Sequence, residues 1–165
     1  PQRNRAIDWS SGDWVLALSN AFLIRHPAEM LPSLTVRMGQ PALRDTGLPQ
    51  QVEIFRFIAE RTGNAPPVLD TEDILRNPRG MLARLCELVG VPFSDRMLSW
   101  PPGRRATDGI WARHWYDAVE RSTGFEPYRA RPREVPPSLE PLLEECLPFY
   151  EELRGYRMTG LQAEG

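Results

Sequence analysis

Asn20-Ala21-Phe22-Leu23-Ile24-Arg25-His26-Pro27-Ala28-Glu29-Met30-Leu31-Pro32-Ser33 settles what kind of chain this is. Phe22-Leu23-Ile24 is a short apolar run, the length of a buried strand and too short for a helix core. Arg25 follows where such a strand would leave its sheet. Pro27 suits the first turn of a helix, where a missing N–H costs nothing. A strand whose carboxyl end meets a helix start is where open α/β sheets place their ligands. The helix start brings free N–H groups and a positive dipole end, both suited to an anion. Arg25 adds a guanidinium fork that matches phosphate oxygens. Ser33, two turns along the helix, adds a hydroxyl donor.

The spacing Arg-x-Pro-x-x-x-x-x-Ser, filled by Arg25, Pro27 and Ser33, resembles the 3′-phosphate-binding segment of sulfotransferases. That family transfers sulfuryl groups from 3′-phosphoadenosine 5′-phosphosulfate (PAPS). The resemblance implies that Arg25 and Ser33 hold the 3′-phosphate of this co-substrate. His26 stands where the family often has Asp or Asn, which predicts a weaker helix cap. Further on, Glu72-Asp73-Ile74-Leu75 with Asn77-Pro78, and the corner Leu88-Val89-Gly90-Val91-Pro92-Phe93, resemble a later block of the same family. Its role there is mostly architectural, so Glu72 and Asp73 read as caps or ion-pair partners. The family's late basic loop before a Trp is matched loosely by Gly103, Arg104, Arg105, Gly109 and Trp111. Arg104 and Arg105 are thereby further candidates for phosphate contact. The implied fold is α/β, a parallel sheet flanked by helices in the manner of P-loop-containing nucleotide hydrolases, here incomplete and helix-rich.

Composition fits one domain: 41% of the 165 residues are hydrophobic, enough for a real core. A net charge of −2 gives no reason to expect nucleic acid or an anionic membrane as partner. Every basic residue other than histidine is Arg; without lysine the chain can form neither a P-loop lysine contact nor a Schiff base. Cys86 and Cys146 lie in apolar helical patterns and read as buried free thiols of a reducing, cytoplasmic compartment. No apolar run is long enough to span a membrane, and no signal peptide is apparent.

The first residue is Pro1, and 1–5 is a polar lead-in. Asp13 to Ser19 reads as a short helix capped by Ser10 or Ser11, with Trp9 and Trp14 packing it on the strand Ala21–Ile24. The helix from Pro27 runs to Met38, stops at Gly39 and is kinked at Pro32. Gln40 to Leu48 reads as a loop. Pro49 to Arg61 is a helix with the apolar stripe Val52, Ile54, Phe55, Ile58 and Ala59, ended by Gly63. Pro67-Val68-Leu69-Asp70 is a second buried strand, parallel to the first, the helix between them forming a right-handed βαβ crossover. Asn77 caps a helix that opens at Pro78, buries Met81, Leu82, Leu85, Cys86 and Val89, and stops at Gly90. Ser94 to Trp100 holds one or two more helical turns. Pro101 to Gly109 reads as a flap, Ala112 to Gly124 as a helix, and Tyr128 to Pro137 as a linker. Leu139 to Tyr156 is a terminal helix whose inner face carries Leu142, Leu143, Cys146, Phe149, Tyr150 and Leu153.

His26 and His114 are the only histidines, and no metal-ligand spacing such as HExxH or CxxC occurs. His26 could donate to a nucleotide or cap its helix; His114 reads as a packed surface residue. No catalytic residue is identified. The glycine- and serine-rich loop and the base that sulfotransferases place upstream do not appear, so the chain reads as the C-terminal portion of the family's fold. In that form it is expected not to catalyse transfer, and to leave an exposed apolar sheet edge. The implied function is sulfuryl transfer from PAPS to an acceptor hydroxyl or amine, with this chain holding the 3′-phosphate end. A non-catalytic nucleotide-binding module and a helical protein-interaction domain stay open as alternatives. The expected partners are a small-molecule nucleotide and an unknown acceptor, with a homodimer as one option for assembly.

Overall fold

The computed structural model describes residues 12–105, 120–130 and 135–160. They group into two compact units: one reaches up to Glu72 and resumes from Arg129 to Thr159, the other runs from Asp73 to Tyr128 and resumes at Gly160.

The first unit opens with α1 (Asp13–Leu16), β1 (Phe22–Ile24) and α2 (Pro27–Met38), then a 3₁₀ turn at Leu43–Thr46, α3 (Leu48–Thr62) and β2 (Val68–Asp70). β1 and β2 pair in parallel, Phe22 opposite Val68, Leu23 opposite Leu69 and Ile24 opposite Asp70. The strand–helix–strand unit expected from the sequence is therefore present. A two-stranded sheet cannot bury its own faces and needs helices against it. The terminal helix α6 (Glu140–Arg154) meets both strands as well as α2 and α3. The core formed this way centres on Ile24, Leu31, Leu48, Val52, Phe55, Val68, Cys146, Tyr150 and Leu153. Phe22 and Phe55 meet edge to face at 5.6 Å inside it.

Among the described residues the open edge belongs to β1. Phe22 N–H donates toward the β2 side, to Pro67 O at 2.9 Å, so the alternation along a strand turns the backbone of Leu23 the other way. Leu23 is also 58% exposed between two buried neighbours. On the far side, β2 is bridged by Arg157, and Met158 N–H donates to Val68 O at 2.8 Å.

The second unit holds most of α4 (Thr71–Arg76), α5 (Pro78–Val89) and a 3₁₀ turn at Asp95–Met97. Asn77 caps α5 as expected, its Oδ1 accepting from Gly80 N–H at 3.0 Å, and Gly90 ends the helix at φ 73°. Met81 and Cys86 are buried; Leu82, Leu85 and Val89 are half-buried.

Several expectations change. α1 ends at Leu16, and Trp14 is 62% exposed, so it does not pack α1 on β1; Ser10, Ser11 and Trp9 lie outside the described residues. The Gln40–Leu48 loop contains a 3₁₀ turn, and α3 starts at Leu48 because Gly47, at φ 75°, reverses the chain just before it. α2, by contrast, spans Pro27–Met38 with Pro32 inside it and Gly39 at its end, as expected. Ser94 to Trp100 forms a single 3₁₀ turn. Of the helix expected from Ala112 to Gly124, 112–119 lies outside the described residues; from Ser122 on the chain is not helical, and Gly124 bridges Ser99. Among the described residues no helix is long and apolar enough to cross a membrane.

Candidate functional site

The carboxyl ends of β1 and β2 bring together Arg25, His26, Glu29, Asp70, Thr71 and Tyr150. Arg25 leaves β1 where the sequence places it, half-buried, and its Nε contacts Glu29 Oε2 at 3.4 Å. Glu29 lies one helical turn on and its side chain is only 8% exposed. Among the described residues the two Nη nitrogens of Arg25 have no hydrogen-bond partner. The contact engages Nε alone and leaves the two-pronged end of the fork unengaged among the described residues.

The first turn of α2 departs from the expectation of free N–H groups. Pro27 has none, Ala28 N–H donates to His26 Nδ1 at 3.2 Å, and Glu29 and Met30 N–H both donate to His26 O, at 2.9 and 3.2 Å. What α2 offers an anion is its dipole end, not open donors. The same bonds bear out one of the two readings of His26: it caps the helix, through an Nδ1 that carries no proton in that role.

His26 is held from behind. Its ring meets that of Tyr150 edge to face at 5.1 Å. Tyr150, fully buried on α6, donates its hydroxyl to Asp70 Oδ2 at 2.6 Å. Asp70 is 4% exposed and its other oxygen accepts from Glu72 N–H at 3.0 Å. Burial pushes the Tyr150 hydroxyl well above its ordinary range, and the hydrogen bond to Asp70 pushes it further the same way. Tyr150 is therefore a fixed neutral donor, with no part as a base near neutral pH. Thr71 completes the seam by donating to Ile24 O at 2.9 Å, which ties the two strand ends together.

Ser33 is exposed on α2, four residues beyond Glu29 and so on the same face, with Glu29 lying between it and Arg25. Arg104 and Arg105 are exposed residues of the second unit. Gly109, Trp111 and His114 lie outside the described residues. Glu72 and Asp73 sit in α4, where the cap is made by Asp70. Sequence reasoning missed Glu29, Asp70 and Tyr150 as members of the site. The spacing of four between Arg25 and Glu29 was a usable signal; Tyr150 and Asp70 are eighty residues apart and gave none. Among the described residues no cluster of His, Cys, Asp and Glu could hold a metal ion.

Arg25 follows the first strand, a helix opens at once on Pro27, and a second parallel strand is tied to the first. The profile of the sulfotransferase domain family matches residues 3–157. The chain belongs to that sulfotransferase family. Its helix-rich architecture around a small parallel sheet fits an α/β sulfotransferase domain. Two curated relatives come from Arabidopsis thaliana. Branched-chain-amino-acid aminotransferase-like protein 1 is 37% identical over 134 residues, 81% of this chain and 24% of the relative. Branched-chain-amino-acid aminotransferase-like protein 2 is 35% identical over 132 residues, 80% of this chain and 23% of the relative. The chain thus spans about a quarter of the length of these relatives. No solved structure matches significantly.

Proposed function

We infer that this sulfotransferase domain binds the 3′-phosphate of PAPS at the end of β1 and serves sulfuryl transfer to an acceptor hydroxyl or amine. The observation that carries the reading is Arg25: its Nε contacts Glu29, and among the described residues its two Nη nitrogens have no hydrogen-bond partner. A guanidinium held this way can take two phosphate oxygens without first losing its own rotational freedom. The positive end of α2 adds to the attraction. The buried Tyr150–Asp70 pair keeps the strand ends and the His26 cap in register, so Arg25 leaves β1 in one direction. Ser33 supplies a hydroxyl one turn beyond Glu29. The turn from β1 into α2 supports a P-loop-like α/β arrangement. The family match runs unbroken across both compact units, which supports reading them as one domain.

The names of the relatives suggest amino-group transfer as a second chemistry. Pyridoxal-phosphate transamination runs through a lysine Schiff base, and these 165 residues contain no lysine. That chemistry is therefore not assigned to this stretch.

Isothermal titration with adenosine 3′,5′-bisphosphate tests the proposal. Saturable heat that is lost in Arg25→Ala supports it. Absence of heat, or heat that Arg25→Ala leaves unchanged, points instead to the interaction-domain alternative.

A further inference from the structure

Two carboxylate residues are buried among the described residues, Asp70 and Glu29, and they are used differently. Asp70 accepts from two neutral donors, the Tyr150 hydroxyl and Glu72 N–H. Glu29 instead meets the Arg25 guanidinium, at 3.4 Å through Nε, with its side chain only 8% exposed. A buried negative group is an unexpected neighbour for an anion site.

Both features that the end of β1 offers an anion already meet it. Arg25 is ion-paired with Glu29. Glu29 is also the acidic residue in the first turn of α2, where it answers the positive end of the helix dipole. The spacing adds a further constraint. Arg25, Glu29 and Ser33 follow at intervals of four, so a phosphate held by both Arg25 and Ser33 lies alongside the turn that carries Glu29. Nε and the two Nη nitrogens belong to one small planar group. An anion on the Nη end therefore stands well within the roughly 8–10 Å over which charges still act on one another at ordinary ionic strength. Burial of the carboxylate weakens the screening further. One side chain thus does two opposed things: its oxygen engages Nε, and its charge repels what the rest of the fork takes.

We propose that Glu29 limits the affinity of the strand-end site for a dianionic 3′-phosphate, so that the nucleotide can exchange. The inference rests on the nucleotide reading of this site and gives the site a penalty on ligand charge. A transferase must release its spent nucleotide after each turnover, and an arginine without this counter-charge would hold the phosphate longer.

Calorimetric titration of the full chain and of its Glu29→Gln variant with adenosine 3′,5′-bisphosphate tests it. Glutamine is isosteric, keeps an oxygen that can accept from Nε, and loses the charge. The variant is expected to bind roughly five-fold more tightly or better. Arg25→Ala should weaken binding whichever residue stands at position 29. The gain should shrink for the 3′-methylphosphate diester, which carries one charge fewer. Glu29→Asp, which keeps the charge, is expected to show no gain. Binding that depends on Arg25 but is unchanged or weakened in Glu29→Gln overturns the proposal and leaves the nucleotide reading standing. So does an equal gain for the diester, or an equal gain in Glu29→Asp. No binding by either the wild type or Glu29→Gln overturns both.

Discussion

Two arginines of the first unit meet a carboxylate, and they do so in opposite ways. Arg56 grips Glu152 with two nitrogens at the protein surface, joining α3 to α6. Arg25 touches Glu29 with one nitrogen, at a longer distance and half-buried, and keeps its outer nitrogens in hand. The better-formed ion pair is the one solvated by water, where such pairs contribute little. The weaker one sits beside a helix start at the end of a strand, where a charge is less screened and has somewhere to act. Arg56 thus has its donors engaged by one carboxylate, whereas Arg25 keeps two nitrogens unengaged among the described residues, as the proposed function requires.

The surroundings of each arginine can be broken in turn, the most damaging change first. Leu153→Ala empties a fully buried position behind the strand ends and is expected to cost about 2–5 kcal/mol in urea unfolding. Asp70→Ala strands the buried Tyr150 hydroxyl and is expected to cost about 1–3 kcal/mol, with Asp70→Asn, which keeps an acceptor, losing less. If instead the two substitutions cost the same, the Asp70–Tyr150 bond does not hold the strand ends. Arg25→Ala should lower affinity for adenosine 3′,5′-bisphosphate roughly ten-fold or more while the melting temperature barely moves. A large loss of stability in that variant would make Arg25 a structural residue and not a ligand-binding one.

Alkaline titration separates the regions further. Tyr150 has its hydroxyl raised in the folded state, by burial first and Asp70 second. Its contribution is complete below the ordinary tyrosine value of about 10. Above that pH the unfolded chain sheds the proton while the folded chain keeps it, so stability falls as pH rises. The urea midpoint should decline from about pH 10 upward, and Tyr150→Phe should flatten that decline. The smallest effect belongs to Arg56→Ala, for which neither nucleotide binding nor the melting temperature is expected to change measurably; a clear drop in melting temperature would show the exposed clamp to be more than decoration.

What could be read from the sequence followed the range of the interaction that fixed it. Phe22–Ile24 and Val68–Asp70 announced themselves by apolar runs, and Asn77-Pro78 and Gly90 by cap chemistry, because each signal is complete within a few residues. Arg25 was found through local order alone: strand, cation, Pro27. Its partner Glu29 is equally local, one helical turn on, the spacing at which an ion pair forms. Tyr150 and Asp70 meet only after the chain has returned across the sheet, so an inward-facing tyrosine on a terminal helix could be expected and its partner could not. Trp14 failed for a related reason: aromatic character suggests burial, but nothing near it in sequence says whether a surface will be there to receive it. The N–H groups of α2 were judged open because the rule concerns helix starts in general, whereas His26 and its carbonyl had already claimed them.

The element that touches both strands, α2 and α3 is also the last of the described helices to be made. During synthesis β1 and β2 must therefore wait until residues near Leu139 to Leu153 have left the ribosome before the cover that α3 begins through Phe55 can be completed. A message truncated ahead of that helix would release a product with an uncovered apolar floor, and quality control would meet it as a misfolded chain and not as a shorter enzyme.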